Sequence, residues 1–399
     1  MIDMKKEAQE LSGEIIKWRR ELHQIPETGL HLPKTSEYVR NKLDEWGIPY
    51  KTYEGHSGIL AYIGKGGGKV AALRADMDAL NVIEENDCDY RSTNGCMHAC
   101  GHDAHTAGLL GVAKILKSHE DEIDGLIKLI FQPDEELLTG APHMVADGVM
   151  DDPKVDGLFV LHCGVMTPEA PAEHGDVIIC RGAAFCASGN YHAVIHGVGG
   201  HASNPQQAKD PTIAAARFIE SLQSIRSREI SPFEGVAINV SYMGAGAEGG
   251  AVGIIPDKAV VEGGFRSTSL ETHAYLMKRI EESLNGVAAS MGMTAEIKID
   301  PGCFPVVNDP GMLSIFDKTV RKIVPEDKIV YIDHGGLAGE DAGSFFLEAP
   351  GCYFFLKNIA PSDDGKVYPH HHPRFTIDDS LTYIGTALLG QAALDLLES

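Results

Sequence analysis

The chain has 399 residues, 43% of them hydrophobic and 23% charged, and its 34 Lys plus Arg against 57 Asp plus Glu give a formal charge of −23. So acidic a chain lacks the clustered cations that a nucleic-acid or anionic membrane surface needs, although a single pocket can still take a small anion. At roughly 150 residues per domain, the length predicts two or three domains with a core that needs no disulfide staples.

In chain order, MIDMKKEAQELSGEIIKWRRELHQIP reads as a charged amphipathic helix over 4–24, not as a signal peptide. A second helical pattern covers 34–46. KVAALRAD (69–76) is a short apolar run that ends in polar residues. DAHTAGLLGVAKILKSH predicts a helix over 103–119, with Asp103 as its N-cap. GLIKLIFQPDEE (125–136) reads as a strand that stops at a proline, and DGLFVLHC (156–163) as another buried strand. Apolar strands separated by helices predict an α/β fold, a three-layer αβα domain with a mostly parallel central sheet. Ligands of such sheets bind beyond the carboxyl ends of the strands. Asp76, Asp78, Glu135, Glu136 and His162 all follow or close an apolar strand within a few residues.

From about residue 184 the pattern changes to β-α-β-β-α-β, the order of a ferredoxin-like unit. Helix and strand alternation resumes near residue 310, with CYFFLKNIA (352–360) as a core strand and 380–398 as a closing helix. The expected organisation is a discontinuous domain, 1–183 with 299–399, interrupted by an inserted α+β domain over 184–298. No run approaches the ~18 apolar residues of a membrane span. Eight cysteines are spread through a chain with no export signal, which predicts free thiols and a cytoplasmic location.

The stretch CMHACGHDAHTAG (96–108) concentrates two cysteines and three histidines. Cys96 and Cys100 are four apart and have no second CxxC partner, which disfavours a closed structural zinc knot or a redox pair. Each candidate group has an ordinary alternative: a buried thiol, a satisfied core histidine, a solvated helix start. Together they place a thiolate, imidazoles and carboxylates at one end of one sheet.

The series RADMDAL, MHACGHDAHTAGLLG, IFQPxEE, LH, GxGGHAS, GED and HxPRF runs in order over essentially the whole chain. It resembles the amidohydrolase branch of the aminoacylase-type dinuclear metallopeptidases, which includes hippurate hydrolases, N-acetyl-amino-acid deacetylases and auxin–amino-acid conjugate hydrolases. The resemblance implies two divalent metal ions held by Cys100, His102, Glu136, His162 and His371, with Cys100 a candidate bridge. The mixed donor set suits Zn or Mn, with Co or Ni also compatible. It implies Glu135 as general base and acid, and His201 on the inserted lid as a donor to the oxyanion, reaching across a dimer. Asp78 and His105 match positions that support the ligands; Arg74, Asp76 and Asp341 are further supports.

The implied function is metal-dependent hydrolysis of an N-acyl amino acid, acetylated, benzoylated or similar, to a carboxylate and a free amino acid. The alternatives are a dipeptidase or exopeptidase of the same fold, or a metal-bearing binding protein without catalysis. The implied assembly is a homodimer or higher homo-oligomer through the lid, with no nucleic-acid or membrane partner.

The chain departs from the family pattern at two places. Asp134 precedes the glutamate pair where Ala is common, and like-charge repulsion from it is expected to raise the base's pKa. Gly253 stands in AVGIIPD where Asn is common, so no side-chain donor meets the substrate there. Arg266 in GGFRS is the remaining candidate anchor for a substrate carboxylate.

Overall fold

The structure is a computed structural model that describes residues 2–164, 171–247 and 250–399. It divides into two compact units: one of residues 1–184, 306–336 and 340–399, the other of residues 185–305 and 337–339.

The first unit opens with helices α1 (Met4–Glu10), α2 (Ser12–His23) and α3 (Pro33–Glu45). The single helix expected over 4–24 is therefore two, because the poor helix formers Ser12-Gly13 interrupt it. Then come β1 (Tyr50–Thr52), β2 (Ile59–Gly66), β3 (Val70–Asp76), α4 (His102–Ser118), β4 (Gly125–Gln132), α5 (Gly140–Ala146), β5 (Gly157–Cys163) and β6 (Val177–Cys180). Strand β7 (Ala183–Phe185) runs over the boundary into the second unit.

The second unit continues with β8 (Ala187–His196), β9 (Gly200–His201), α6 (Pro211–Ser224), β10 (Val236–Ala245), β11 (Ile254–Ile255), β12 (Lys258–Ser267), α7 (Leu270–Ser290) and β13 (Thr294–Cys303). The chain returns to the first unit through β14 (Val306–Val307), α8 (Pro310–Ile323), β15 (Ile329–Ile332), α9 (Gly343–Glu348), β16 (Gly351–Leu356) and α10 (Thr382–Glu398). The second unit extends past residue 298 because β13 stays paired with β8 as far as Cys303.

The first unit's sheet has the order β1-β2-β4-β3-β5-β16-β6-β15. It is parallel across β4, β3, β5 and β16, and again between β6 and β15. Every residue of β3, β5 and β16 is buried, as strands covered on both faces must be. Helices α4 and α10 cover one part of it, with Leu109, Leu110, Leu388 and Leu389 in a core shared with Phe159 and Phe354. Gly111 permits the close approach of three helices: a Cβ there would lie 2.9 Å from both Ile15 and Thr386.

The second unit's sheet has the order β10-β12-β8-β13, antiparallel throughout, which is the ferredoxin-like arrangement. Strand β8 alternates buried and open positions, so only one face packs, under α6 and α7. Among the described residues no helix is long and apolar enough to cross a membrane. All eight cysteines are free thiols.

Asp103 is not the cap of α4. The cap is Gly101 in the left-handed region at φ 88°, where a side chain would also crowd Cys163 Cβ at 3.3 Å. Asp103 lies one residue inside the helix and is fully enclosed, taking an ion pair from Arg19 at 2.8 Å and a hydrogen bond from His23 at 2.7 Å. An enclosed carboxylate needs such charged partners, and they turn it away from the capping role.

Candidate metal centre

The carboxyl ends of β3, β4 and β5 bring the centre together. The parallel register sets Asp76 beside Gln132, and the chain turns off each strand with its polar residues pointing past the sheet. Cys100 and His102 arrive from the start of α4, and His162 from the penultimate position of β5. His371 comes from a loop near the C-terminus, with φ 66° and its N–H donated to Ala99 O at 2.8 Å.

These side chains converge. Cys100 Sγ lies 3.5 Å from His162 Nε2. His371 Nε2 lies 3.4 Å from Glu136 Oε2. His102 Nε2 lies 3.9 Å from both Glu136 Oε1 and Glu135 Oε2, and 3.7 Å from Asp76 Oδ2. Donor atoms of Cys100, His102 and His162 fall within 4.8 Å of one another, as do those of Cys100, Glu136 and His371, and of His102, Glu135 and Glu136.

A second layer holds these groups. Asp78 accepts from His102 Nδ1–H, through its carbonyl at 3.0 Å and Oδ1 at 3.3 Å, and from the Glu136 backbone N–H through Oδ2 at 3.1 Å. His105 donates from Nδ1 to Asp76 Oδ1 at 2.6 Å and accepts the Cys163 N–H on Nε2 at 2.7 Å, which defines its tautomer. Behind Asp76 the buried Arg74 pairs with Asp76 at 2.8 Å, Glu340 at 3.0 Å and Asp341 at 3.3 Å. Tyr353 Oη donates to Glu340 at 2.7 Å.

The residues fit a bound cation. With Nδ1 committed to Asp78, His102 Nε2 is buried without a hydrogen-bond partner and faces carboxylates, and Glu136 Oε1 is orphaned in the same way. Buried polar atoms are normally paired, and an imidazole fixed through one nitrogen with the other aimed into a cluster of acids is how metal ligands are presented.

The electrostatics agree. Burial alone would lower the His102 pKa, but Asp76, Asp78 and Cys100 outweigh it and hold it well above the usual value, so the site favours positive charge. Burial would raise Glu136, yet His371 and His102 draw it below the ordinary range. Glu135 goes the other way: burial, then Glu340 and Glu136, push it well above a normal carboxyl against the pull of His102. Burial and Glu340 also push Asp341 upward. Every hydrogen bond to the Asp341 side chain comes from an N–H donor, of Arg74, Gln132 or Ala141.

The expected effect of Asp134 on the base is not the operative one. Asp134 Oδ2 takes the Thr139 hydroxyl, and the carboxylates that raise Glu135 are Glu340, Glu136 and Asp341.

The remaining candidates lie in the second unit. His201 is exposed on β9 and pairs with Ile254 of β11, while the Gly253 carbonyl accepts the Ala202 N–H at 2.8 Å. His201 thus lies on one small two-stranded ribbon, with Gly253 in the turn that leads into its second strand. Arg266 donates from Nη1 to Leu337 O at 2.8 Å.

Three participants were missed in the sequence: Gln132, Glu340 and Tyr353. Gln132 had a signal, as the polar residue that closes an apolar strand, and Glu340 had one in its place before Asp341. Tyr353 had none, since it reads as one more apolar residue of CYFFL.

Residues 72–394 match the family described as Peptidase family M20/M25/M40. IAA-amino acid hydrolase ILR1-like 4 of Arabidopsis thaliana is 36% identical over 93% of this chain and 82% of its own length. N-acetyl-L-cysteine deacetylase of Bacillus subtilis is 33% identical over 98% of this chain and 89% of its own. The crystal structure of Bacillus subtilis YxeP, a dinuclear metal binding peptidase, superposes with a TM-score of 0.81 at 27% identity, covering 98% of this chain and 99% of that one.

Proposed function

The chain belongs to peptidase family M20/M25/M40, and on that premise we propose that it is a metal-dependent amidohydrolase that cleaves an N-acyl amino acid into a carboxylate and a free amino acid. One observation carries the reading. His102 Nε2 is equally far from both glutamates, but only Glu136 also reaches His371, at 3.4 Å, while its buried neighbour Glu135 lies beside that contact with its pKa raised.

Cys100, His102, Glu136, His162 and His371 would hold two divalent ions, Zn or Mn by donor chemistry, with Co or Ni compatible. When bound, such ions acidify water and polarise the amide carbonyl. Glu135 takes the water proton as hydroxide adds to the carbonyl carbon, then delivers it to the leaving nitrogen as the C–N bond breaks. Its raised affinity for a proton suits a group that must keep one between those two transfers. Asp78 keeps His102 and Glu136 in register during the reaction. His201 is the proposed oxyanion donor, supplied by the lid of a second copy in a homodimer, and Arg266 and Gly253 belong to the substrate side of that lid. The free thiols favour a cytoplasmic setting.

The test is hydrolysis of a panel of N-acetyl, N-benzoyl and longer N-acyl amino acids, with unacylated dipeptides as controls, after loading with Mn or Zn. Glu135→Gln should lower kcat by roughly 10²–10⁴-fold with metal content unchanged. Cys100→Ala and Glu136→Ala should lower the metal content itself. Wild-type protein that carries two ions and cuts no amide in the panel would sink the proposal, and preference for the dipeptides would move it to a dipeptidase.

A further inference from the structure

The two glutamates sit on a short loop, residues 133–139, between β4 and α5, and both ends of that loop are held by one buried carboxylate. Gln132, the last residue of β4, donates from Nε2 to Asp341 Oδ1 at 2.8 Å and Oδ2 at 2.9 Å. Ala141, in the first turn of α5, donates its backbone N–H to Asp341 Oδ2 at 2.8 Å. Arg74 completes the ring, giving Nε–H to Gln132 Oε1 at 2.8 Å and Nη2–H to Asp341 Oδ1 at 3.3 Å.

The loop is wound tightly between those ends. Asp134 O accepts from the N–H groups of Thr139 at 3.3 Å and Gly140 at 3.1 Å, and Glu135 O accepts from Leu138 at 2.8 Å. Asp134 and Leu138 both occupy the left-handed region, at φ 58° and 60°. A Cβ on Gly140 would lie 1.6 Å from Pro133 O, so the loop closes only on glycine. Two non-glycine residues in that region are costly and persist only where the surroundings over-determine them. Asp78 holds the Glu136 N–H within the loop, and Asp341 is the group that ties its two ends; the Asp341 carboxylate oxygens come within 4.8 Å of those of Glu135 and Glu340.

We propose that Asp341 is a positioning residue for the hydrolysis. It fixes the entry and exit of the loop together, so that the Glu135 carboxylate is held in place relative to the ligand set. It acts through the loop as well as by the charge that it presents to Glu135. An aspartate is needed because three donors, an amide, a backbone N–H and a guanidinium, converge on one short side chain with no room for a donor of its own. An asparagine there would turn an NH₂ group toward the Gln132 NH₂ or the Ala141 N–H.

The inference rests on Glu135 being the base, and the same geometry supplies its test. Asp341→Asn and Gln132→Glu each set like groups against one another, whereas the double exchange restores the pairing of these two side chains and the Ala141 contact, with the new asparagine donating to the new glutamate and only the Arg74 Nη2 contact on Oδ1 lost. In metal-loaded protein, Asp341→Asn should lower kcat roughly 10- to 100-fold, with KM and metal content near wild type. The amides of Thr139, Gly140 and Ala141 should exchange with solvent deuterium about tenfold faster. The double variant should recover both. Gln132→Met, which releases only the entry of the loop, should show a smaller kcat loss and serves if Asp341→Asn does not fold.

Unchanged kcat in Asp341→Asn or Gln132→Met, or faster exchange with no change in kcat, would overturn the proposal. So would a double variant as impaired as the singles. If wild type cuts no amide at all, the proposed function and the catalytic part of this inference fail together, and amide exchange alone then decides whether the clamp exists.

Discussion

The two units handle polar groups in opposite ways. In the first, charged side chains lie at the ends of strands buried on both faces, and nearly every one is matched by a partner: Arg74 with three carboxylates, Asp76 with His105, Asp78 with His102. In the second, the sheet buries one face only, and His201 sits exposed on a two-stranded ribbon with half-buried Gly253 in the turn beside it. The first design preorganises groups by desolvating them, so that removing one leaves others unpaired. The second presents groups at little structural cost, so that they can change without disturbing the fold.

That contrast is sharpest for the arginines. Arg74→Met strands Asp76, Glu340 and Asp341 in a dry interior and should cost about 3–5 kcal/mol in denaturant unfolding. Arg279→Ala, which removes a partly exposed pair with Glu229 in the second unit, should cost roughly 0–1 kcal/mol. Equal losses would mean that the two units do not differ as described.

His201→Asn should leave the melting temperature nearly unchanged, since the residue is exposed and an asparagine oxygen can still accept the Ser203 N–H that His201 Nδ1 takes at 3.1 Å. Its kcat should fall by the equivalent of about 2.7–4 kcal/mol if it serves the oxyanion. Steady-state kinetics beside a thermal melt separates the two effects. An unchanged kcat would confine His201 to the ribbon.

Gly253→Asn is the gentler counterpart. A Cβ at this position meets nothing within 4 Å, and the backbone is not in the left-handed region, so stability should move by no more than about 0.5 kcal/mol. The ranking of acyl groups in the substrate panel should change. An unchanged ranking would remove Gly253 from the substrate side.

The smallest effect concerns pH. Glu122 and Glu7 raise the pKa of the partly exposed His119. A raised histidine contributes stability that is fully present below its unfolded pKa, about 6.5, and is lost as pH rises through the folded value. The urea midpoint at about pH 6 minus that at about pH 9 should therefore be slightly smaller in His119→Gln than in wild type. A larger difference in the variant would reverse the assigned sign.

Much of this was legible before any coordinates. Periodicity located the buried strands and the β-α-β-β-α-β unit, because side-chain burial repeats every two or 3.6 residues whatever the tertiary partners are. The centre's donors were legible too, because Glu135, Glu136 and His162 stand at ends of apolar strands and Cys100 and His102 open a helix. The role of Asp103 was misread, since capping is a local preference and the charges of Arg19 and His23, eighty or more positions away in the chain, override it.

What the amino-acid order determined by itself is therefore the kinds of donor and the end of the sheet where they gather. Only the tertiary structure decided which lone pairs are spent and which are left over. Asp341 takes Gln132 and Ala141, Arg74 takes Glu340, and His102 turns one nitrogen to Asp78 and the other into the site. Apart from His102 and Asp78, which are 24 positions apart, those pairings join residues 200 or more positions apart, and no local pattern encodes them. They are settled by the cost of leaving a charge unpaired where water has been excluded.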